Sequence, residues 1–163
     1  MKLMMFAKGA GAALGLVEGK SVIDLSAADP ALPKDLKSLI AAGPTALAAV
    51  RAAADKAQAS AKLALDSVKP ALPIDPPGKI ICVGLNYALH AKEGGHPIPT
   101  YPSFFLRVPT SLVAAGAPVI RPKISTQLDY ECELTIVIGR KGRHISEAQA
   151  LEHVFGYTLF NDV

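Results

Sequence analysis

The sequence predicts an α+β chain: a small amino-terminal α/β domain over residues 1–70, a linker at 71–78, and a mixed, β-rich domain over 79–163. Three observations predict it. Short runs of bulky residues broken by glycines open the chain, and an alanine-rich stretch with helical spacing follows them. Pro70, Pro73, Pro76, Pro77 and Gly78 then cluster as they do in a connection between modules, which sets the boundary near residue 75. Beyond that cluster the apolar segments are again short and strand-like.

Taken in order, residues 3–7, 13–18 and 21–25 are strand candidates separated by turns at Gly9, Gly11 and Gly19, the pattern of a small antiparallel meander. After Pro30 and Pro33 the period changes. Asp35 is placed to cap a helix in which Leu36, Leu39 and Ile40 recur at helical spacing, and Gly43 ends it. A second helix is expected from Pro44 or Thr45 to about Ala61, because alanine dominates and Leu47, Val50 and Ala54 form a narrow apolar stripe. Past the linker, strands are expected over 80–84, 103–107, 129–139 and 156–160. A helix is expected over 147–153, with Ser146 as its cap.

Composition narrows the function. Half of the 163 residues are hydrophobic and 19% are charged, which suits a chain that buries a core. The formal charge is +3, yet the 17 lysines and arginines are dispersed and only 6% of residues are aromatic, so the clustered basic footprint of a nucleic-acid binder is missing. Cys82 and Cys132 both lie in apolar stretches and are expected to be buried, reduced thiols, making a cytoplasmic protein the default. Lys8 interrupts the apolar opening too early for a secretory signal or a membrane span. No phosphate-binding glycine loop is present.

Two segments carry chemistry. In Asp129-Tyr130-Glu131-Cys132-Glu133-Leu134, strand alternation would put three carboxylates on one face and Tyr130, Cys132 and Leu134 on the other. On a solvated face, the more frequent case, such a row is tolerated. Continuation into Ile136, Val137 and Ile138 instead suggests partial burial, where like charges need a cation or shared protons. Oxygen donors without a matching His or Cys set favour a hard ion, Mg²⁺ or Mn²⁺ ahead of Zn²⁺, with Ca²⁺ as a further alternative. Asp162, at the end of a later strand, is a possible further ligand or an ordinary turn aspartate. The second segment runs from Asn86 to Gly95. In a helical turn His90 and Glu93 share one side, so that the carboxylate orients and raises the basicity of an imidazole that takes a proton from water. A capped surface turn with an incidental His and Glu is the plainer alternative. His96, His144 and His153 have no comparable partner.

Together, Ile81-Cys82-Val83-Gly84-Leu85-Asn86-Tyr87 with His90 and Glu93, Pro102-Ser103-Phe104-Phe105-Leu106-Arg107, Leu128 to Leu134 with Val137-Ile138-Gly139, and Gly156 to Val163 resemble the fumarylacetoacetate hydrolase family. The blocks occur in family order over about residues 79–163, and residues 1–70 resemble the family's variable amino-terminal domain more loosely. The resemblance implies a mixed β-sandwich roll, incomplete at the carboxy end, whose sheet edges are left unpaired.

It also implies that Glu131, Glu133 and Asp162 ligate Mg²⁺ (alternatives Mn²⁺ and Ca²⁺), with Asp129 a neighbour, and that His90 and Glu93 form a water-activating dyad on a lid. Arg107 stands where many members have a lysine, in a supporting polar role. The implied reaction is hydrolysis of a C–C bond in a small dicarbonyl or 2-oxo acid, with the metal stabilising the developing enolate. Isomerisation or decarboxylation of 2-oxo acids, and a non-catalytic subunit acting through association, are the alternatives. A homodimer is expected, with no nucleic-acid or membrane partner.

Overall fold

The computed structural model describes residues 1–163. Its amino-terminal half is built on a four-stranded antiparallel sheet in the order β1 (Lys2–Lys8), β2 (Gly11–Glu18), β3 (Ser21–Asp24) and β4 (Lys62–Ala64). In β2, Ala13 through Leu16 are all buried, because both sheet faces are covered. One face packs Leu14, Leu16, Ile23 and Leu25 against Leu36, Leu39, Val50 and Ala54 of the helices. On the other, Phe6, Ala13 and Val22 pack beneath Leu63 and Val68. Gly15 lies between neighbours so close that a Cβ would come within 2.5 Å of Val22 Cγ1, so no larger residue fits there without displacement.

Three helices follow the meander: α1 (Leu25–Ala28), α2 (Leu36–Ala42) and α3 (Pro44–Asp55). Asp24 ends β3 and caps α1, accepting from the backbone N–H groups of Ser26 and Ala27. Asp35 caps α2 as expected, accepting from Ser38 N at 2.7 Å. Gly43, at φ +76°, takes a left-handed turn that lets α2 stop and Pro44 start α3 at once.

Helix α3 is shorter than its composition suggests. It ends at Asp55, and 59–61 form a separate 3-10 turn before β4. Pairing of β4 with β3, Ser21 opposite Ala64 and Ile23 opposite Lys62, overrides the helix preference of the alanines.

Segment 69–71 does not hang free. Ala7 N donates to Lys69 O at 2.8 Å and Ala71 N to Met5 O at 2.9 Å, which satisfies the outer edge of β1.

The second half contains two antiparallel ladders. One pairs β5 (Ile80–Gly84) with β6 (Ser103–Arg107), with α4 (Ala88–Glu93) between them in sequence. The other pairs β7 (Cys132–Ile138) with β8 (Val154–Asn161). Phe155 of β8 reaches back to pack against the main core.

Strand β7 begins at Cys132, not at residue 129, so Asp129 and Glu131 precede the ladder. There, Tyr130 N is held by the Asp129 side chain and Glu131 N by Asn161 Oδ1, both in place of a strand partner. Residues 147–153 form a 3-10 helix, and Ser146 Oγ bonds the Gln149 side chain at 3.0 Å instead of capping a backbone N–H. No helix is long and apolar enough to cross a membrane.

Candidate functional site

A surface concavity of about 640 Å³ lies in the amino-terminal half and includes Phe6, Lys8, Asp24 and Lys69. Its buried charged group, Asp24, is already committed, accepting from Lys8 Nζ and Ser26 Oγ while capping α1. Burial pushes the Asp24 carboxyl up, but the bonds from Lys8, Ser26 and Ala27 outweigh it and hold the group below the ordinary carboxylate value. This arrangement is structural.

The chemistry-bearing residues gather where the two carboxy-terminal ladders meet. Asp162, one residue past β8, has a side chain only 3% exposed and accepts from Arg107 Nε at 2.5 Å. Arg107 comes from the end of β6, with its guanidinium 5.6 Å from the centre of the Phe105 ring. The Asp162 backbone N–H also donates to Glu131 O at 2.9 Å, so the two sequence-predicted ligands are tied through the main chain.

Glu133 lies on the half-buried side of β7. Burial above all, then the charges of Asp162 and Glu131, push its carboxyl above the usual range, while His90 and Arg107 pull it down. Beneath the cluster is Cys82, buried in β5, whose thiol is pushed up first by burial and then by Asp162.

The turn from β5 into α4 passes through Leu85 at φ +52°, an uncommon conformation for a residue with a side chain. Next to it, Tyr87 Oη accepts a hydrogen bond from Leu134 N at 2.9 Å, pinning the start of α4 to the free edge of β7. His90 is thereby brought over the acidic segment. Its Nε2 lies 3.9 Å from Glu131 Oε1. Glu93, at the end of the same helix, is exposed and makes no ion pair, so the structure brings His90 to Glu131 and not to Glu93. Asp129 is likewise exposed and outside the cluster.

Sequence reasoning missed the anchoring roles of Tyr87 and Asn161 and the position of Cys82. Tyr87 and Asn161 each neighbour a flagged residue, but only the pairing of distant strands shows what they touch. Burial was expected for both cysteines, yet Cys132 is exposed at the outer start of β7.

The donor set suits an oxygen-ligated divalent cation in its chemistry. It holds a buried carboxylate and a second one disturbed by like charges, and the single cation touching Asp162 comes from the protein itself. With the side chains as placed, no three His, Cys, Asp or Glu groups converge at metal-ligating distance. Arg107 takes that place on Asp162.

Comparison with known proteins agrees on one family. Residues 79–163 match the family model described as fumarylacetoacetate (FAA) hydrolase, C-terminal. A mitochondrial oxaloacetate tautomerase of Xenopus laevis is 39% identical over 150 residues, covering 92% of this chain and 46% of the relative. A human mitochondrial oxaloacetate tautomerase is 38% identical over 155 residues, covering 94% and 49%. The chain thus spans about half the length of the curated relatives it matches.

Among solved structures, the maleylpyruvate hydrolase of Sphingobium sp. SYK-6 in complex with manganese(II) and pyruvate superposes with a TM-score of 0.78 at 29% identity, over 99% of this chain and 58% of that one. The fumarylacetoacetate hydrolase of Exiguobacterium antarcticum gives 0.72 at 32% identity, over 99% and 55%. The mixed α/β architecture with antiparallel sheets is the one these neighbours share. The expectation of a cytoplasmic protein is overturned, since these tautomerase relatives are mitochondrial. Unpaired thiols show only that no disulfide forms and do not specify a compartment.

Proposed function

The chain belongs to the fumarylacetoacetate hydrolase family, and from that premise we propose that its acidic cluster serves a keto–enol tautomerase acting on a small 2-oxo dicarboxylic acid of the oxaloacetate kind. One observation carries the reading: His90 faces Glu131 at 3.9 Å, while Glu93, which hydrolysis would need as its partner in activating water, stands apart and exposed. Tautomerisation needs no water nucleophile. It needs one group that takes and returns a proton beside a site that steadies negative charge on oxygen, and histidine is the residue type suited to both transfers.

Glu131, Glu133 and Asp162 would hold the divalent cation, Mg²⁺ or Mn²⁺, which when bound supplies positive charge to the carbonyl and carboxylate oxygens of the substrate. His90 takes the proton from the carbon beside the carbonyl. The C–H electron pair becomes the new C=C bond, the carbonyl π pair moves onto oxygen, and His90 returns the proton to that oxygen to complete the enol. Tyr87 keeps the start of α4, and with it His90, in place.

The second reading is C–C hydrolysis of a dicarbonyl acid, supported by the likeness to maleylpyruvate hydrolase. The test follows decay of the enol absorbance of oxaloacetate above the buffer rate with Mn²⁺ present. Replacing His90 by Asn is expected to lower the rate by roughly 10²–10⁴-fold, whereas Glu93→Gln changes it by less than about tenfold. Release of pyruvate from an acylpyruvate, abolished by Glu93→Gln, would instead establish the hydrolase.

A further inference from the structure

We infer that Arg107 is the resident counter-cation of the acidic cluster, holding Asp162 through its guanidinium so that a divalent cation must compete with Arg107 for that carboxylate. The inference rests on reading the cluster as a metal site and goes beyond it by making metal affinity depend on a residue that is not a ligand.

The two buried charged side chains of the chain are treated alike. Asp24 is paired with Lys8 and Asp162 with Arg107, each at 2.5 Å. A carboxylate this deeply buried loses its hydration and needs a partner of opposite charge to offset that loss. Their surroundings differ, however. Asp24 is also satisfied by Ser26 and Ala27, while Asp162 sits beside Glu131 and Glu133 and has Arg107 as its one ion-pair partner. Arg107 therefore occupies the position that lowers the repulsion among these carboxylates.

An arginine suits that role because its guanidinium stays charged and is planar, and here it is backed by the Phe105 ring. The bond to Asp162 uses Nε. It spans 55 residues and fastens the β5–β6 ladder to the β7–β8 ladder, so a purely structural staple is the competing explanation.

Calorimetric titration of Mn²⁺, with thermal melts with and without Mn²⁺, separates the two on the full chain and its Arg107→Gln and Arg107→Lys variants. Competition predicts that Arg107→Gln melts lower without metal, gains more from Mn²⁺ than the parent, and binds Mn²⁺ about tenfold tighter, with Arg107→Lys between. If Arg107→Gln folds only with Mn²⁺, that rescue supports the inference, and failure to be rescued overturns it. Phe105→Leu, which removes the backing ring and keeps the charge, is expected to tighten Mn²⁺ binding more weakly in the same direction. Equal or weaker binding by Arg107→Gln, with the parent binding, overturns the inference and leaves the metal site standing. No binding by parent or variant removes the metal site and the inference together.

Discussion

The two halves of the chain use similar apolar residues to opposite effect. Up to Ala61 the strands and helices close over Phe6, Leu14, Leu16, Ile23, Leu39 and Val50, all at most 2% exposed. Beyond it only Cys82, Ala91 and Asp162 are buried, while Leu134, Ile136, Tyr157 and Leu159 line an open face of the β7–β8 ladder at 51–70% exposure. An isolated two-stranded ladder has no second layer to cover its apolar side. The first half is thus stabilised by packing, and the second is held at its acidic cluster by specific polar ties: Arg107 to Asp162, Tyr87 to Leu134 and Asn161 to Glu131.

Substitutions can break or sharpen this contrast. Leu39→Ala, in the closed core, is expected to cost about 2–5 kcal/mol by urea denaturation, since the helices around it can collapse only partly into the space. A loss under about 1 kcal/mol would mean that the core is looser than its burial indicates.

Asp24→Asn is expected to cost about 2 kcal/mol at pH 7, because a charged acceptor serving Lys8, Ser26 and Ala27 becomes a neutral one. The pH dependence has a definite sign. Asp24 is held below its ordinary value of 3.8, so its contribution is present above that value and lost as pH falls through the lower folded-state value. The gap between parent and Asp24→Asn should therefore narrow in urea melts repeated near pH 3, and a gap that widens on acidification would refute the assignment.

The smallest effect belongs to the open face. Ile136→Thr, at a position 51% exposed, is expected to change stability by less than about 0.5 kcal/mol and to lower the binding of an apolar dye. A cost near that of Leu39→Ala would show that this face is covered in solution, and the contrast between the halves would fall.

Much of the fold was legible because it follows from local patterning. The meander, the Asp35 cap, the Gly43 break and strands β5 and β6 lie where alternation, capping residues and glycine place them. The misread elements depend on a distant partner. Alanine propensity cannot show that residues 62–64 will pair with β3, and alternation cannot show that Asn161 captures the Glu131 N–H and delays the start of β7.

The sequence by itself determined the family and the placing of His90 and Glu93 on one short helix, because motifs and periodicities are written in neighbouring residues. Only the tertiary structure decided which charges meet. It set His90 against Glu131 and buried Asp162 beneath Arg107 from another ladder, since the desolvation and pairing that govern a carboxylate depend on atoms brought from far along the chain.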